Sequence, residues 1–161
     1  MKKYEFTGEV KRIKLIGTEV VLRRIRAVTA FGVVKAGDIG GWIEKEENLS
    51  HDGSAWVYGD AEVHGNAKVY GDAEVYSVNH IFSIGPVGSR NEYTTFYRNK
   101  NEKIEVRCGC FNGIIEEFLE KVAETHGENK HASVYRAAAE IAKLQIEPLS
   151  AERRWGCLNN G

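Results

Sequence analysis

Residues Gly53 to Tyr76 read GSAWVY, GDAEVH, GNAKVY, GDAEVY, one six-residue unit written four times. Each unit runs Gly, then Asp, Asn or Ser, then Ala, a variable residue, Val, and a tyrosine or histidine. Such a period is too short for a helical repeat and too regular for a meander. Fixed self-similarity of this length marks a parallel β-helix, with one short strand and one turn per unit. Side chains alternate across a strand, so Ala and Val two apart share a face. That face is expected inside: Ala55, Ala61, Ala67 and Ala73 at the corners, Val57, Val63, Val69 and Val75 on the walls. Trp56, Glu62, Lys68 and Glu74 then point outward, as do Tyr58, His64, Tyr70 and Tyr76. Gly59, Gly65 and Gly71 supply the positive φ that the corners require.

The unit resembles the hexapeptide repeat of left-handed β-helices, as in bacterial acyltransferases. Three units make one triangular coil in that family, so residues eighteen apart should stack. This predicts one column of Ile39, Val57 and Val75, with Leu49 under Ala67. The coil is expected to start near Ile39 and to complete about two turns, too few to bury a continuous core alone. Flanking segments must cap it. A homo-oligomer is expected, a trimer in preference because such prisms associate in that way, with Trp56 and the tyrosines at the interface.

The start of the chain is strand-rich. Val10, Ile13, Leu15 and Ile16, then Val20, Val21, Leu22, Ile25 and Val28, flank a turn at Gly17, which predicts a β-hairpin ending near Ala30. AGDIGGWIEKEENLS and AWVYGDAEVHGNA resemble small hexapeptide-repeat proteins of bacteria and phages over about residues 1–76. The period stops at Ser77, which divides the chain into 1–77 and 78–161. In the second part VNHIFSIG, YTTFYRN and KIEVRCGCF read as three strands. A helix over GIIEEFLEKVAETHG follows, with Ile115, Phe118, Leu119 and Val122 on its apolar stripe. A second helix is expected from about His131 to Ile146, presenting Val134, Ala138 and Ile141 on one side, with Ala142 and Gln145 as further candidates for that side, ended by Pro148. Trp155 would anchor a short final turn. The predicted class is mainly β with an α+β C-terminal part: hairpin, short left-handed parallel β-helix, three strands, two helices. GPVGSR, TTFYR and CGCF look like a module of phage and prophage proteins.

A net charge of −1 argues against binding to polymeric nucleic acid. The charge is uneven, with residues 1–36 basic and the repeat stretch acidic. The sequence shows no leader-like or membrane-spanning apolar run, so a cytoplasmic location is expected. Cys108, Cys110 and Cys157 form no disulfide framework and suit a reducing compartment. Cys108 and Cys110 are expected to share a strand face. No second Cys/His pair stands at zinc spacing, so a buried-thiol role outweighs a metal one. No cofactor pattern is present.

The stretch richest in binding groups is Gly85 to Arg98. Gly88 frees backbone amides, Ser89, Thr94 and Thr95 donate hydrogen bonds, and Arg90 and Arg98 grip an anion. Phe82 and Tyr97 offer rings for stacking. These residues predict a pocket for a small anionic, nucleotide-like molecule, held without catalysis. The phage resemblance implies sequestration of a host immune signal. The acyltransferase resemblance implies a histidine base, and His64 is its candidate by position. Yet Tyr58, Tyr70 and Tyr76 share that phase, which favours a stacked ring ladder. A structural or protein-binding oligomer is the third reading.

Overall fold

A computed structural model describes residues 1–146. The expectations for Pro148, Trp155 and Cys157 lie outside the described residues, which are mainly β with two C-terminal helices. The chain divides into two units, Met1–Val78 and a second beginning at Asn79.

In the first unit, β1 (Tyr4–Leu15) and β2 (Thr18–Ala27) form an antiparallel hairpin turning at Ile16 and Gly17. β3 (Ile39–Ile43) adds to β2, also antiparallel. The repeats then give β4 (Trp56–Val57), β5 (Glu62–Val63) and β6 (Glu74–Val75). Three parallel contacts join one winding to the next: β3 with β5, β4 with β6, and a bridge between Leu49 and Val69. The corner glycines Gly59, Gly65 and Gly71 take φ of 52°, 63° and 65°, as the repeat requires. The repeat alanines and valines are all inside, from 0% to 7% exposed.

Two columns differ from a strict eighteen-residue spacing. Leu49 lies beside Val69 instead of Ala67, and Ile39 pairs with Arg26 and is exposed. The cause is one corner. The step from Leu49 to Trp56 is seven residues, whereas the matching step from Val69 to Glu74 is five. Because side chains alternate with period two, two extra residues leave every inward side chain inward.

The hairpin covers a flank of the windings. Trp56, expected at a partner interface, is 1% exposed. Its ring lies edge-on to Tyr4 at 6.2 Å and to Phe31 at 5.3 Å. The Lys3 ammonium donates to the Ala55 carbonyl at 2.8 Å and sits 4.8 Å from the Phe31 ring centre. Burial lowers its pKa from 10.5 to about 8, partly opposed by Asp52. Asn48 is fully buried, donating to the Gly65 and Ala67 carbonyls at 3.2 and 2.8 Å and accepting from the Lys45 amide. The uneven charge resolves partly within this unit, where Lys2 pairs with Glu46, Lys11 with Glu62 and Arg24 with Asp60. Lys2–Glu46 is solvent-exposed and adds little; Glu62 and Arg24 are largely covered.

The second unit is an antiparallel sheet ordered β10-β9-β8-β7, from β7 (Ile81–Val87), β8 (Glu92–Arg98), β9 (Ile104–Cys108) and β10 (Phe111–Ile114). It has four strands where three were expected. KIEVRCGCF is not one strand: Phe111 pairs back with Cys108, and Gly109 and Cys110 form a two-residue hairpin turn. Gly109 has φ +55°, the conformation that a tight hairpin needs at its first central residue. Helix α1 (Ile115–His126) therefore starts two residues later than expected, with Glu117 accepting from the Ile114 amide at 3.2 Å. Helix α2 (Lys130–Gln145) is capped by Asn129, whose side chain accepts from the Ala132 amide at 3.0 Å.

Both helices pack on one sheet face. The shared core joins Phe96 and Val106 to Ile115, Phe118 and Val122 of α1 and to the buried stripe of α2. That stripe is Ala132, Tyr135, Ala138, Ala139 and Ala142. Val134 is only half-buried and Ile141 is 46% exposed, so the predicted face of α2 was rotated. Four of the five stripe residues are alanines, which carry little apolar signal.

Candidate functional site

The turn between β7 and β8, residues 88–91, lies beside the Gly109–Cys110 turn, the C-terminal end of α1 and the first half of α2. Together they line an open cleft of about 260 Å³. Ser89 and Arg90 enter from the first turn, Cys108 and Cys110 from the second. Thr125 and His126 come from α1, and Tyr135 from α2. Glu92, Gly109 and Phe111 complete the lining.

Tyr135 organises the floor. Its ring packs edge-on to Phe118 at 5.5 Å, while its hydroxyl reaches the cleft. Gly88 has φ +76°, and a Cβ there would overlap that hydroxyl, so this glycine gives Tyr135 its place. The Cys108 thiol donates to the Tyr135 oxygen at 3.8 Å, and the Thr94 hydroxyl donates to the Cys108 sulfur at 3.2 Å. Burial, first, and then the hydrogen bond shared with Cys108 push the Tyr135 phenol up to about 12, with Glu92 adding to the rise and Arg90 opposing it. The phenol is a neutral donor at ordinary pH. The His126 ring lies 5.8 Å from Tyr135 and 5.7 Å from His131.

The eight predicted residues do not converge. Ser89 and Arg90 line the cleft, and Gly88 shapes it from behind. Phe82 pairs with Phe96 across the sheet, ring centres 5.8 Å apart, and packs against the helix-side core. Thr94, Thr95, Tyr97 and Arg98 are at most 2% exposed. Thr94 holds Cys108; Thr95 shares a hydroxyl contact with Ser83 at 3.3 Å; Tyr97 donates to Asn112 at 3.2 Å. Alternation along β8 sends Thr94 and Phe96 to one sheet face and Thr95 and Tyr97 to the other. The cleft gains Glu92, Phe111, Thr125 and Tyr135, which sequence reading left out of the site. The RCGCF spelling, as a glycine-centred hairpin, is the signal that would have found its second wall.

His64 is half-buried in the first unit. The ladder expected in its phase is formed by Tyr58 and Tyr76, whose rings stack at 4.2 Å and 7°. Burial raises the Tyr58 phenol, helped by Tyr76. Beyond His64 a second open cleft of about 310 Å³ is lined by Lys45, Asn48 and the corner from Gly65 to Lys68. Among the described residues no group of three or more His, Cys, Asp or Glu side chains is placed to hold a metal. No helix among them is long and apolar enough to cross a membrane.

No protein-family model matches the chain. A stretch of 62 residues is 39% identical to the uncharacterized acetyltransferase YdcK of Escherichia coli (strain K12). It covers 36% of this chain and 19% of YdcK, so the chain spans about a fifth of that relative's length.

Proposed function

We propose that the protein binds a small anionic, nucleotide-like molecule in the cleft of its second unit, without turning it over. One observation carries this reading: Arg90 stands in one solvent-open cleft with Ser89, Thr125, His126 and Tyr135. A guanidinium beside several hydroxyl donors suits a phosphate or carboxylate. Glu92 on the same wall favours a ligand with a donor group next to its anionic end, and Phe111 supplies a ring face for a base. The volume, about 260 Å³, falls just below the usual range of ligand pockets, about 300–1,000 Å³, which fits one small phosphorylated unit and not a polymer. In this reading the first unit is a short left-handed β-helix of the hexapeptide type. It is a scaffold for a cytoplasmic homo-oligomer, trimeric by preference, and a phage-encoded trap for a host signal nucleotide would use it in this way.

A second reading, acyl transfer, draws support from the likeness to YdcK. It would place the base at His64 and the donor in the neighbouring cleft by Lys45 and Lys68.

Calorimetric titration with inorganic phosphate and with mononucleotides separates the two. Binding without turnover is expected, weakened on the order of tenfold or more in Arg90→Ala, the loss expected for one charged hydrogen bond. Unchanged affinity in that variant would overturn the site. Cleavage of a coenzyme A thioester that stops in His64→Ala would replace the binding reading with the acyl-transfer one.

A further inference from the structure

We propose that Cys110 and Cys108 form a thiol-exchange pair, which reacts with a small anionic disulfide drawn into the cleft by Arg90. This names a substrate class for the anion site just described and rests on that reading.

Both sulfurs belong to the same cleft, yet they are unalike. Cys110 is exposed at the tip of a two-residue turn, and Cys108 is half-buried at the end of β9. A free, exposed cysteine is uncommon, because cysteine ranks among the most buried residue types. Its neighbour two positions away is held by hydrogen bonds: the Thr94 hydroxyl donates to the Cys108 sulfur, and the Cys108 thiol donates to the Tyr135 oxygen. These bonds orient a sulfur that would act as the resolving nucleophile, attacking as its thiolate. If Cys108 ionises, the Tyr135 hydroxyl can rotate and donate to it. Arg90 adds a positive charge to the same cleft, and Glu92 opposes it.

Cys108 and Cys110 stand two residues apart, so their Cα atoms are at most about 7.2 Å apart even in an extended chain, and the turn draws them closer; a disulfide spans roughly 4.4–6.8 Å between Cα atoms. Gly109, at φ +55°, is the residue that lets the chain fold so tightly between them.

The exchange runs in two balanced steps. The Cys110 thiolate attacks one sulfur of the bound disulfide; that S–S bond breaks, and one small thiolate leaves and takes up the proton Cys110 lost. The Cys108 thiolate then attacks the Cys110 sulfur and displaces the second small thiolate, which takes up the proton of Cys108. Two protein thiols become one disulfide, and one small disulfide becomes two thiols. The oxidant is the small disulfide itself.

The test uses the full chain carrying Cys157→Ser, mixed with glutathione disulfide, which bears carboxylates, or with cystamine, which is cationic. Intact-mass analysis and peptide mapping are expected to show a Cys108–Cys110 disulfide. Adding Cys108→Ser should stall the reaction as a mixed disulfide on Cys110. Adding Arg90→Gln should slow glutathione disulfide on the order of tenfold and leave cystamine unchanged. A dithiol that stays reduced in the parent chain, or no adduct on Cys110 in the stalled variant, would overturn the proposal. Equal slowing with both disulfides would overturn the part played by Arg90. Phosphate and mononucleotide binding is measured separately on a Cys108→Ser, Cys110→Ser chain. Anion binding that persists there while the parent chain fails to exchange sinks this inference alone. Loss of both sinks the anion site as well.

Discussion

The two units enclose their interiors by different means. The windings of the first are lined by small aliphatic side chains that meet one another one turn away, Val57 with Val75, Val63 with Ile43 and Val69 with Leu49. No single residue dominates, and the largest buried group, Trp56, lies outside the windings against the hairpin. The second unit is centred on rings. Phe118 stands among Phe96, Phe111 and Tyr135, with centres 5.5 to 5.9 Å away. A repeated interior spreads its stabilisation along the chain, whereas a ring cluster concentrates it in a few side chains. The cleft is built where that concentration occurs, since Tyr135 belongs to both the cluster and the floor.

The sharpest way to break this contrast is Phe118→Ala. It should cost about 3–5 kcal/mol, read by chemical denaturation, with faster amide exchange throughout α1 and α2. A cost below about 1 kcal/mol would mean that the rings do not act as one cluster. The next test goes to the windings, where a polar residue takes the part that a ring plays elsewhere. Asn48→Ala should cost about 1–3 kcal/mol, because the Gly65 and Ala67 carbonyls and the Lys45 amide lose their partner together. Asn48→Asp, which keeps an acceptor but no donor, should not rescue it.

The smallest effect expected is a pH profile. Lys3 binds its proton less tightly when folded, about 8 against 10.5. Below both values the ammonium is present in folded and unfolded chains alike, and its burial costs stability in full. Between them the unfolded chain holds more protons, so stability of the first unit should rise with pH from about 8 upward. Tyr4 and Tyr58, whose phenols burial pushes up, carry the opposite sign once unfolded tyrosines ionise near pH 10. Lys3→Met should abolish the rise and keep the fall, as followed by denaturant midpoints across that range. A rise that survives the substitution would assign it to another group.

What could be foreseen differs between the units for a physical reason. Four copies of one word test each inward position repeatedly, so Ala55 and Val57 and their equivalents were legible, and so were the corner glycines. The extra two residues after Leu49 were not, because no repeat frames Ser50–Ser54. In the second unit, Thr94 through Asn99 are six consecutive buried residues. A strand covered on both faces shows no alternation, and its threonines, tyrosine and arginine looked like free binding groups. They are inside. Phe118 and Val122 were legible from helical spacing, and so were Ala138 and Ala142 of the α2 stripe, whereas its Ala132, Tyr135 and Ala139 were not. Arg90 and Ser89 were found by composition. Their companions in the cleft come from β8, β9, β10, α1 and α2, and only the fold brings them together.

The uneven corner after Leu49 has an evolutionary consequence. Lengthening there by a pair of residues shifts the winding along itself and turns nothing inside out. Lengthening by one would present Val57 and Val75 to solvent and aim Trp56 at the interior. Descent with small insertions should therefore leave an even-numbered signature at this bend, and odd-length variants should be absent from any lineage that keeps the windings.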